Sequence, residues 1–244
     1  MQTMMGAGWN PSLFNGVRDY FRRLKQRNKL ICYWLVRLTS LPPTFSFRGK
    51  LYRHFWHRYN ATWRNERAVE IPIVRDFIEQ AHGGRILEIG NVLSHYGPIS
   101  HEVVDKYEKA EGVQNEDVCS FRPGGKYDLI VSISTLEHVG FDEEPKDETK
   151  ALRAFESLRG LLASKGKLVV TIPLGYNPFL DVMIDEGRIA FTERAYLKRK
   201  PDRNEWREVG ADEVGNPRYD RNAYVAHELL IGIFDNLGDS TGDS

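Results

Sequence analysis

Three short apolar segments in the first half of the chain each end in acidic residues, and these acids have the chemistry to hold a nucleoside. Glu88 and Gly90 close the first segment, where a glycine lets the backbone turn sharply and approach a ligand closely. Asp105 closes the second, where a carboxylate can accept hydrogen bonds from both ribose hydroxyls. Asp117 and Val118 belong to the third, where an acid can accept from an adenine amino group and an apolar side chain can pack against the ring. The alternative for Asp105 is a solvated strand end.

A fourth apolar segment, residues 127–134, precedes a residue that can take part in the reaction itself. Leu136, Glu137, His138 and Val139 follow it. A histidine just past a strand end can take the proton of a hydroxyl nucleophile near neutral pH. His138 is therefore the candidate general base. The alternative is that His138 caps or packs the helix that follows.

The order of these four segments resembles the class I S-adenosylmethionine-dependent methyltransferase family, and most closely its small-molecule, type 11/12-like branch. The resemblance covers residues 85–173, the cofactor half of that family, and residues 136–139 are its most specific part. Residues 165–173 are similar to the fifth strand of the family. The resemblance implies a Rossmann-like enzyme that uses S-adenosyl-L-methionine as its cofactor.

The resemblance also implies a role for the residues that follow each strand. The methionine part of the cofactor would contact Glu88, Gly90 and Asn91. Asp105 would hold the ribose, and Asp117 and Val118 would hold the adenine. The residues beside the sulfonium and the substrate would be Ser134, Leu136 and His138.

The glycine loop departs from the family pattern, which has two more glycines at alternate positions. Val92 and Ser94 occupy those positions, and valine strongly disfavours positive φ. In one alternative the loop is rebuilt around Asn91, which tolerates left-handed geometry, with His95 and Tyr96 near the cofactor. In the other, the site is degenerate and binds the cofactor poorly.

Near-continuous apolar strands separated by helical stretches predict an α/β fold with a doubly wound, mostly parallel, seven-stranded sheet. In such a sheet, ligands bind beyond the carboxyl ends of the strands. Helices are expected at residues 65–80, 146–162 and 179–187. The strands are expected at residues 85–90, 102–107, 116–119, 127–134, 167–172, 192–199 and 227–235.

The net charge of zero hides an asymmetry along the chain. Residues 1–67 carry 13 lysines and arginines against two acids, so the remainder is strongly acidic. Residues 14–41 are expected to form a basic amphipathic helix that packs on its own domain or contacts a membrane or another anionic surface. The predicted domains are a helical and aromatic extension at 1–67, a methyltransferase domain at 68–237, and a disordered tail at 238–244.

Substrate groups must come from outside the shared cofactor half. Tyr59, Trp63, Glu66 and Arg67 precede the first strand, where this family often has a lid. Trp206 lies in a polar segment that can form the opposite wall. A tryptophan flanked by acids and arginine suits a polyhydroxylated ligand, so we expect O-methylation of a sugar or glycan precursor. The alternative for both segments is ordinary surface packing.

The remaining features bound the class of protein. Cys32 and Cys119 form no metal or disulfide framework, and the sequence predicts no transmembrane segment, metal site or secretion signal, which favours a cytoplasmic enzyme. The rival hypotheses are a non-catalytic methyltransferase-like binding protein and a nucleic-acid-associated methyltransferase that uses the basic N-terminal region. A nicotinamide enzyme is disfavoured because the Gly-x-Gly-x-x-Gly fingerprint is missing.

Overall fold

The computed structural model describes residues 41–200 and 203–238, together with helical residues 31, 33, 34 and 38. The chain divides into two compact units, Met1–Leu41 and Pro42–Ser244. The predicted basic helix at residues 14–41 lies mostly outside the described residues, as does most of the predicted tail. Within the described residues, none of the helices has the length and hydrophobicity needed to span a bilayer.

The second unit is built on one mixed sheet of eight strands, in the order β5-β4-β3-β6-β7-β12-β8-β9. The first five strands of this order run parallel. The strands are β3 (Ile86–Ile89), β4 (Glu102–Val104), β5 (Val113–Gln114), β6 (Tyr127–Ile133), β7 (Leu162–Pro173), β8 (Glu193–Arg199), β9 (Trp206–Val209) and β12 (Glu228–Asp235). Two hairpins lie outside this sheet: β1 (Thr44–Phe47) with β2 (Lys50–Arg53), and β10 (Tyr219–Asp220) with β11 (Val225–Ala226).

The last strand sits in reverse inside the sheet. β12 pairs antiparallel with both β7 and β8, so β8 runs in the direction of the first five strands. This is the doubly wound, Rossmann-like sheet of a methyltransferase fold, and the predicted fold class is confirmed. The predicted strand count of seven is wrong, because the segment around Trp206 pairs with β8 as an eighth, antiparallel edge strand. The predicted third strand at residues 116–119 is also wrong, because the strand in this region, β5, covers Val113–Gln114 and the predicted residues lie after it.

Apolar strands create two core faces, and each face is covered by helices. The long helices are α1 (Arg67–Gln80), α2 (Lys150–Leu161) and α3 (Pro178–Asp185), and a short helix, α4, spans Ala211–Val214. Ile130 and Leu168 on one face of the sheet share a cluster with residues of α2 and α3. Alternate residues of the same strands, such as Val131 and Val169, pack with α1 on the other face. The sheet is therefore buried on both sides, as the continuous apolar runs predict.

A proline within α1 ties the preceding segment to the sheet. Pro72 has no N–H to donate to the carbonyl of Ala68, four residues earlier. The backbone N–H of Phe55 donates to that carbonyl instead, at 2.8 Å. Phe45 and Phe47 of the first hairpin are buried in the same core as α1. Residues 42–66 therefore pack with the sheet and place the first turn of α1 beside the strand ends.

Candidate functional site

A cavity of about 410 Å³ opens at the carboxyl ends of β3, β4 and β6, which is where ligands bind in a doubly wound sheet. Its volume lies in the range of small-molecule sites. Five of the predicted site residues line it: Gly90, Asp105, Asp117, Val118 and His138. The remaining lining residues are Ile89, Val104, Lys106, Tyr107, Glu116, Thr135, Val139, Asp142 and Glu143.

Gly90 is the tightest point of the cavity wall. Its φ is +83°, and a Cβ built on it would lie 2.2 Å from Oγ1 of Thr135. Its N–H donates to the carbonyl of Val104 at 2.9 Å, which holds the turn against β4. Only glycine satisfies both the backbone conformation and the contact with Thr135, so the first strand delivers its backbone directly to the cavity.

The buried carboxylate of Glu88 holds the backbone of the altered glycine loop. Its Oε1 accepts from the backbone N–H groups of Val92 and Leu93 at 2.9 and 2.8 Å, and its Oε2 lies 2.7 Å from Nε2 of His101. The loop then continues as one 3₁₀ turn, Leu93–Tyr96. Val92 has a φ of −103°, so the loop needs no glycine there. Glu88 is fully buried and shapes the loop rather than lining the cavity.

Asn91 does not supply the left-handed turn that the sequence led us to expect. It is not among the described residues with positive φ, because Gly90 makes the turn. Its side chain instead donates to Glu108 at 2.9 Å and accepts from the hydroxyl of Ser94 at 2.5 Å. Its backbone N–H donates to Asp105 at 3.0 Å. Asn91 therefore links the two loops that border the cavity.

Asp105 is held rigidly at the end of β4. Besides Asn91, the backbone N–H groups of Tyr107 and Glu108 donate to its carboxylate at 2.8 and 2.7 Å. A carboxylate has about four lone-pair sites, so one remains for a ligand hydroxyl. Asp105 can therefore accept from one ribose hydroxyl rather than from both, and its role in holding the ribose stays a prediction.

A compact ion cluster closes the far side of the cavity. Asp117 and Glu143 each contact both Lys106 and Lys150, at distances between 2.5 and 3.0 Å. Burial alone would raise the pKa of Asp117, but hydrogen bonds from Lys150, from the backbone of Cys119 and from Lys106 hold it well below its usual range. Asp117 is thus ionised and fixed at the place where the adenine was predicted.

His138 stands at the cavity mouth in a defined orientation. Its Nδ1 lies 2.5 Å from Oδ2 of Asp142, and the hydroxyl of Tyr176 donates to the same oxygen at 2.6 Å. Although burial would raise the pKa of Asp142, these two hydrogen bonds lower it. Because a carboxylate at Nδ1 selects the tautomer with its proton there, Nε2 is left as the proton acceptor.

A second group of polar and charged residues is buried beside the cavity, and three of its members, Glu66, Arg67 and Ser134, were predicted as site residues. Glu70 accepts from Arg67, Ser134 and Thr171, each at 2.5 Å. Ser134 has the unusual φ of +39° for a non-glycine residue. We name this group the acidic cluster; its members are Glu66, Arg67, Glu70, Ser134, Glu137 and Thr171.

The other predicted residues lie outside the cavity. The ring of Tyr59 stacks on His95 at 4.4 Å and meets Tyr96 edge-on at 5.6 Å. Trp63 lies half-buried in the 3₁₀ helix Tyr59–Arg64. Leu136 is fully buried in the core. The cofactor and substrate roles of these residues stay predictions.

Trp206 does not form the expected wall of the cavity. It is 4% exposed, packs in the core behind α1, and its Nε1 donates to Asn204 at 2.9 Å. The polar residues around it give no sign of this burial, because Arg207 and Glu208, which follow it on the edge strand, are exposed.

Several lining residues were missed by sequence reasoning. Asp142 carried a usable signal, since it follows His138 by four residues. Lys106 and Glu143 are 37 residues apart in sequence and meet only through the fold. Thr135 approaches Gly90 because β3 and β6 are neighbours. These pairings depend on strand order and register.

The chain matches no family model and no curated protein. Among solved structures it is similar to the N-methyltransferase NodS from Bradyrhizobium japonicum WM9 in complex with S-adenosyl-L-homocysteine, at 14% identity over 71% of this chain and 94% of that one, with a TM-score of 0.39. It is also similar to the sugar N-methyltransferase KedS8 from Streptoalloteichus, at 15% identity over 80% and 98%, with a TM-score of 0.37. A methyltransferase from Archaeoglobus fulgidus gives 16% identity over 67% and 91%, with a TM-score of 0.40.

Proposed function

We propose that this chain is an S-adenosylmethionine-dependent methyltransferase acting on a small molecule. The observation that carries the proposal is the single cavity wall formed by Gly90, Asp105, Asp117, Val118 and His138. These residues follow β3, β4, β5 and β6, and the sequence assigns them to the methionine, ribose and adenine parts of the cofactor and to the acceptor. The residues present therefore fit S-adenosylmethionine.

The charge of the cavity favours this cofactor over a dinucleotide. Its lining contains five carboxylates and one lysine. A pyrophosphate placed among them would be repelled, and the turn at Gly90 lacks the further glycines that bring backbone N–H groups to phosphates. S-adenosylmethionine has no phosphate and carries a positive sulfonium. An acidic cavity suits it on both counts.

When bound, the cofactor supplies a methyl group that an in-line nucleophile can take. The chain has to align the acceptor and exclude water. For a hydroxyl acceptor, Nε2 of His138 is placed to take the proton, with Asp142 holding Nδ1. Asp142 is a positioning residue, since it acts through His138, while Tyr176 fixes Asp142.

The finer part of the proposal is a sugar acceptor that is methylated on oxygen. The half-exposed ring of Tyr59 offers a flat apolar surface of the kind on which sugar rings stack. Trp206, which also suggested a sugar, is buried and no longer supports it. The proposal of a polyhydroxylated substrate is therefore supported only by Tyr59, in the 3₁₀ segment before α1.

Binding of S-adenosylhomocysteine tests the cofactor assignment. A ligand present at 100 times its dissociation constant stabilises the native state by about 2.7 kcal/mol, so the thermal midpoint should rise. Asp105→Ala should weaken the affinity by about tenfold or more, because a hydrogen bond to a charged group contributes roughly 1.5–3 kcal/mol. Glu111→Ala, an exposed acid of the same loop, is the matched control and should bind as the wild type does.

Calorimetry and thermal melts that both show no binding at millimolar ligand would overturn the cofactor assignment. Binding without transfer to any acceptor would instead favour a methyltransferase-like binding protein.

A further inference from the structure

The acidic cluster lies where the first turn of α1 meets the ends of β6 and β7. Glu66, Arg67 and Glu70 come from the helix, and Glu137 comes from the turn after β6. Three carboxyl groups therefore face a single arginine. The exposed fractions of Glu66, Glu70 and Glu137 are 7%, 0% and 1%.

The arginine is already engaged within the cluster. Arg67 Nη1 lies 2.5 Å from Oε2 of Glu70. The other oxygen of Glu70 accepts from Ser134 and Thr171. Glu70 and Arg67 therefore neutralise each other, and among the described residues no lysine or arginine lies within ion-pair distance of Glu66 or Glu137. An anionic ligand would have to break this pair.

Glu137 is the unsatisfied group of the cluster. Neither of its carboxyl oxygens has a hydrogen-bond partner among the described residues, although the side chain is 1% exposed. Nε2 of His138 lies 3.6 Å from its Oε1, beyond hydrogen-bond distance. A buried polar group without a partner costs free energy that a ligand can recover. Burial, together with the charges of Glu70 and Glu66, raises the pKa of Glu137 well above its usual value.

Tyrosine rings border the same cluster. Tyr176 and Tyr219 meet edge to face at 4.9 Å. Burial raises the pKa of the Tyr219 hydroxyl, and the charges of Glu66 and Glu137 raise it further. Tyrosine faces attract cations, and the combination of aromatic rings with carboxylates is typical of ammonium recognition.

We propose that the substrate of this methyltransferase carries an ammonium group, and that Glu137, with Glu66 and the ring of Tyr219, holds it. The inference rests on the proposed function and specifies its substrate class as an amine-bearing small molecule, such as an amino sugar. Glu137 supplies the negative charge that an ammonium group needs as its partner in a buried site. His138 connects the two regions, because it lines the cofactor cavity and lies 3.6 Å from Glu137.

The test compares amines with alcohols of the same shape. Glucosamine with glucose, galactosamine with galactose, and tyramine with tyrosol are titrated into wild-type protein saturated with S-adenosylhomocysteine. We expect at least one amine to bind tenfold or more tightly than its alcohol. Glu137→Gln should remove this preference, while Glu148→Gln, an exposed acid, should keep it. Equal binding within every pair, or no binding of any amine, overturns the inference.

A cofactor series separates the one serious competitor, in which Glu137 holds the amino group of the cofactor's own methionine part. S-adenosylhomocysteine has that group and 5′-methylthioadenosine lacks it. If Glu137→Gln weakens binding of the first tenfold and leaves the second unchanged, the inference is overturned. If both affinities stay as in the wild type, it is supported. Failure of the proposed function is a different result, because the wild type would then bind neither nucleoside.

Discussion

The cofactor cavity and the acidic cluster are both rich in carboxylates, but they differ in whether those carboxylates have hydrogen-bond donors or ion-pair partners. In the cavity each fixed acid has donors: three backbone N–H groups for Asp105 and two lysines for Asp117. In the cluster, Glu137 has none among the described residues, and Glu66 accepts from the backbone N–H of Ala226 at 3.2 Å. Hydrogen bonds lower the pKa of Asp117, whereas burial raises the pKa of Glu66 to about 7.

This difference separates two ways of preparing a site. The cavity is organised before any ligand arrives, because its charges are paired and its loops are tied together. The cluster leaves buried acids uncompensated and therefore favours a ligand that brings its own positive charge. The preorganised cavity suits a cofactor that is used in every reaction cycle. The acidic cluster, with its unpaired acids, suits a charged group that distinguishes one substrate from another.

The largest effect on ligand affinity is expected from Gly90→Ala, which narrows the cofactor cavity. The added Cβ would collide with Thr135, and φ of +83° strains any other residue. S-adenosylhomocysteine affinity should fall by about 100-fold or more, measured by calorimetry. Gly112→Ala is the matched control, since it has a φ of +77° and nothing within 4 Å of the new Cβ. If Gly112→Ala weakens binding as much, backbone strain rather than the contact with Thr135 is responsible.

Next in size is the loss of the ion cluster, with Lys150→Met. In the wild type, the side chain of Lys150 is 12% exposed and contacts both Asp117 and Glu143. In the variant, these two acids would have Lys106 as their shared basic partner. Removing one partner of a buried ion pair costs about 3–5 kcal/mol, and partial exposure reduces this to about 2 kcal/mol here. Chemical denaturation measures the change. Lys109→Met removes an exposed lysine and should alter the unfolding free energy by less than about 0.5 kcal/mol.

The sign of the pH dependence follows from the lowered pKa of Asp117. Stability from this carboxylate is complete above its unfolded-state pKa of 3.8 and is lost as the pH falls toward the lower folded-state value. Lys150→Met should therefore lose less stability than the wild type does on acidification below pH 3.8. Parallel acid-denaturation curves for the two proteins would contradict this assignment.

The two regions also differ in how far the sequence predicts them. Gly90, Asp105 and His138 were found from strand periodicity, which is local information, whereas Asp117 and Val118 were found through the family resemblance, although the strand predicted around them lies at Val113–Gln114. The cluster was found only in part: Glu66, Arg67 and Ser134 were named, but not their contact with Glu70 and Glu137. The contacts of Glu70 with Ser134 and Thr171 join residues 64 and 101 positions apart, through the packing of α1 on the sheet. The same limit explains Trp206, whose burial depends on an edge pairing that its polar neighbours conceal.

The effect that sharpens the comparison most is the opposite pH response of the acidic cluster. Burial, followed by the charge of Glu70, raises the folded-state pKa of Glu66 from 4.5 to about 7. Its contribution is therefore complete below pH 4.5, and it is lost as the pH rises to about 7, by up to about 1.4 kcal/mol per pH unit. Glu66→Gln should remove this loss and become more stable than the wild type at pH 7.5, with equal stability at pH 4.

Urea denaturation between pH 4 and pH 8 measures the difference, and Glu148→Gln should follow the wild type throughout. An unfolding free energy of Glu66→Gln that stays at or below the wild-type value at pH 7.5 would mean that Glu66 is ionised and compensated in the free protein. The contrast between the two regions would then disappear. A gain at pH 7.5 that an amine ligand abolishes, by stabilising the wild type more than the variant, would tie the uncompensated acids to the substrate.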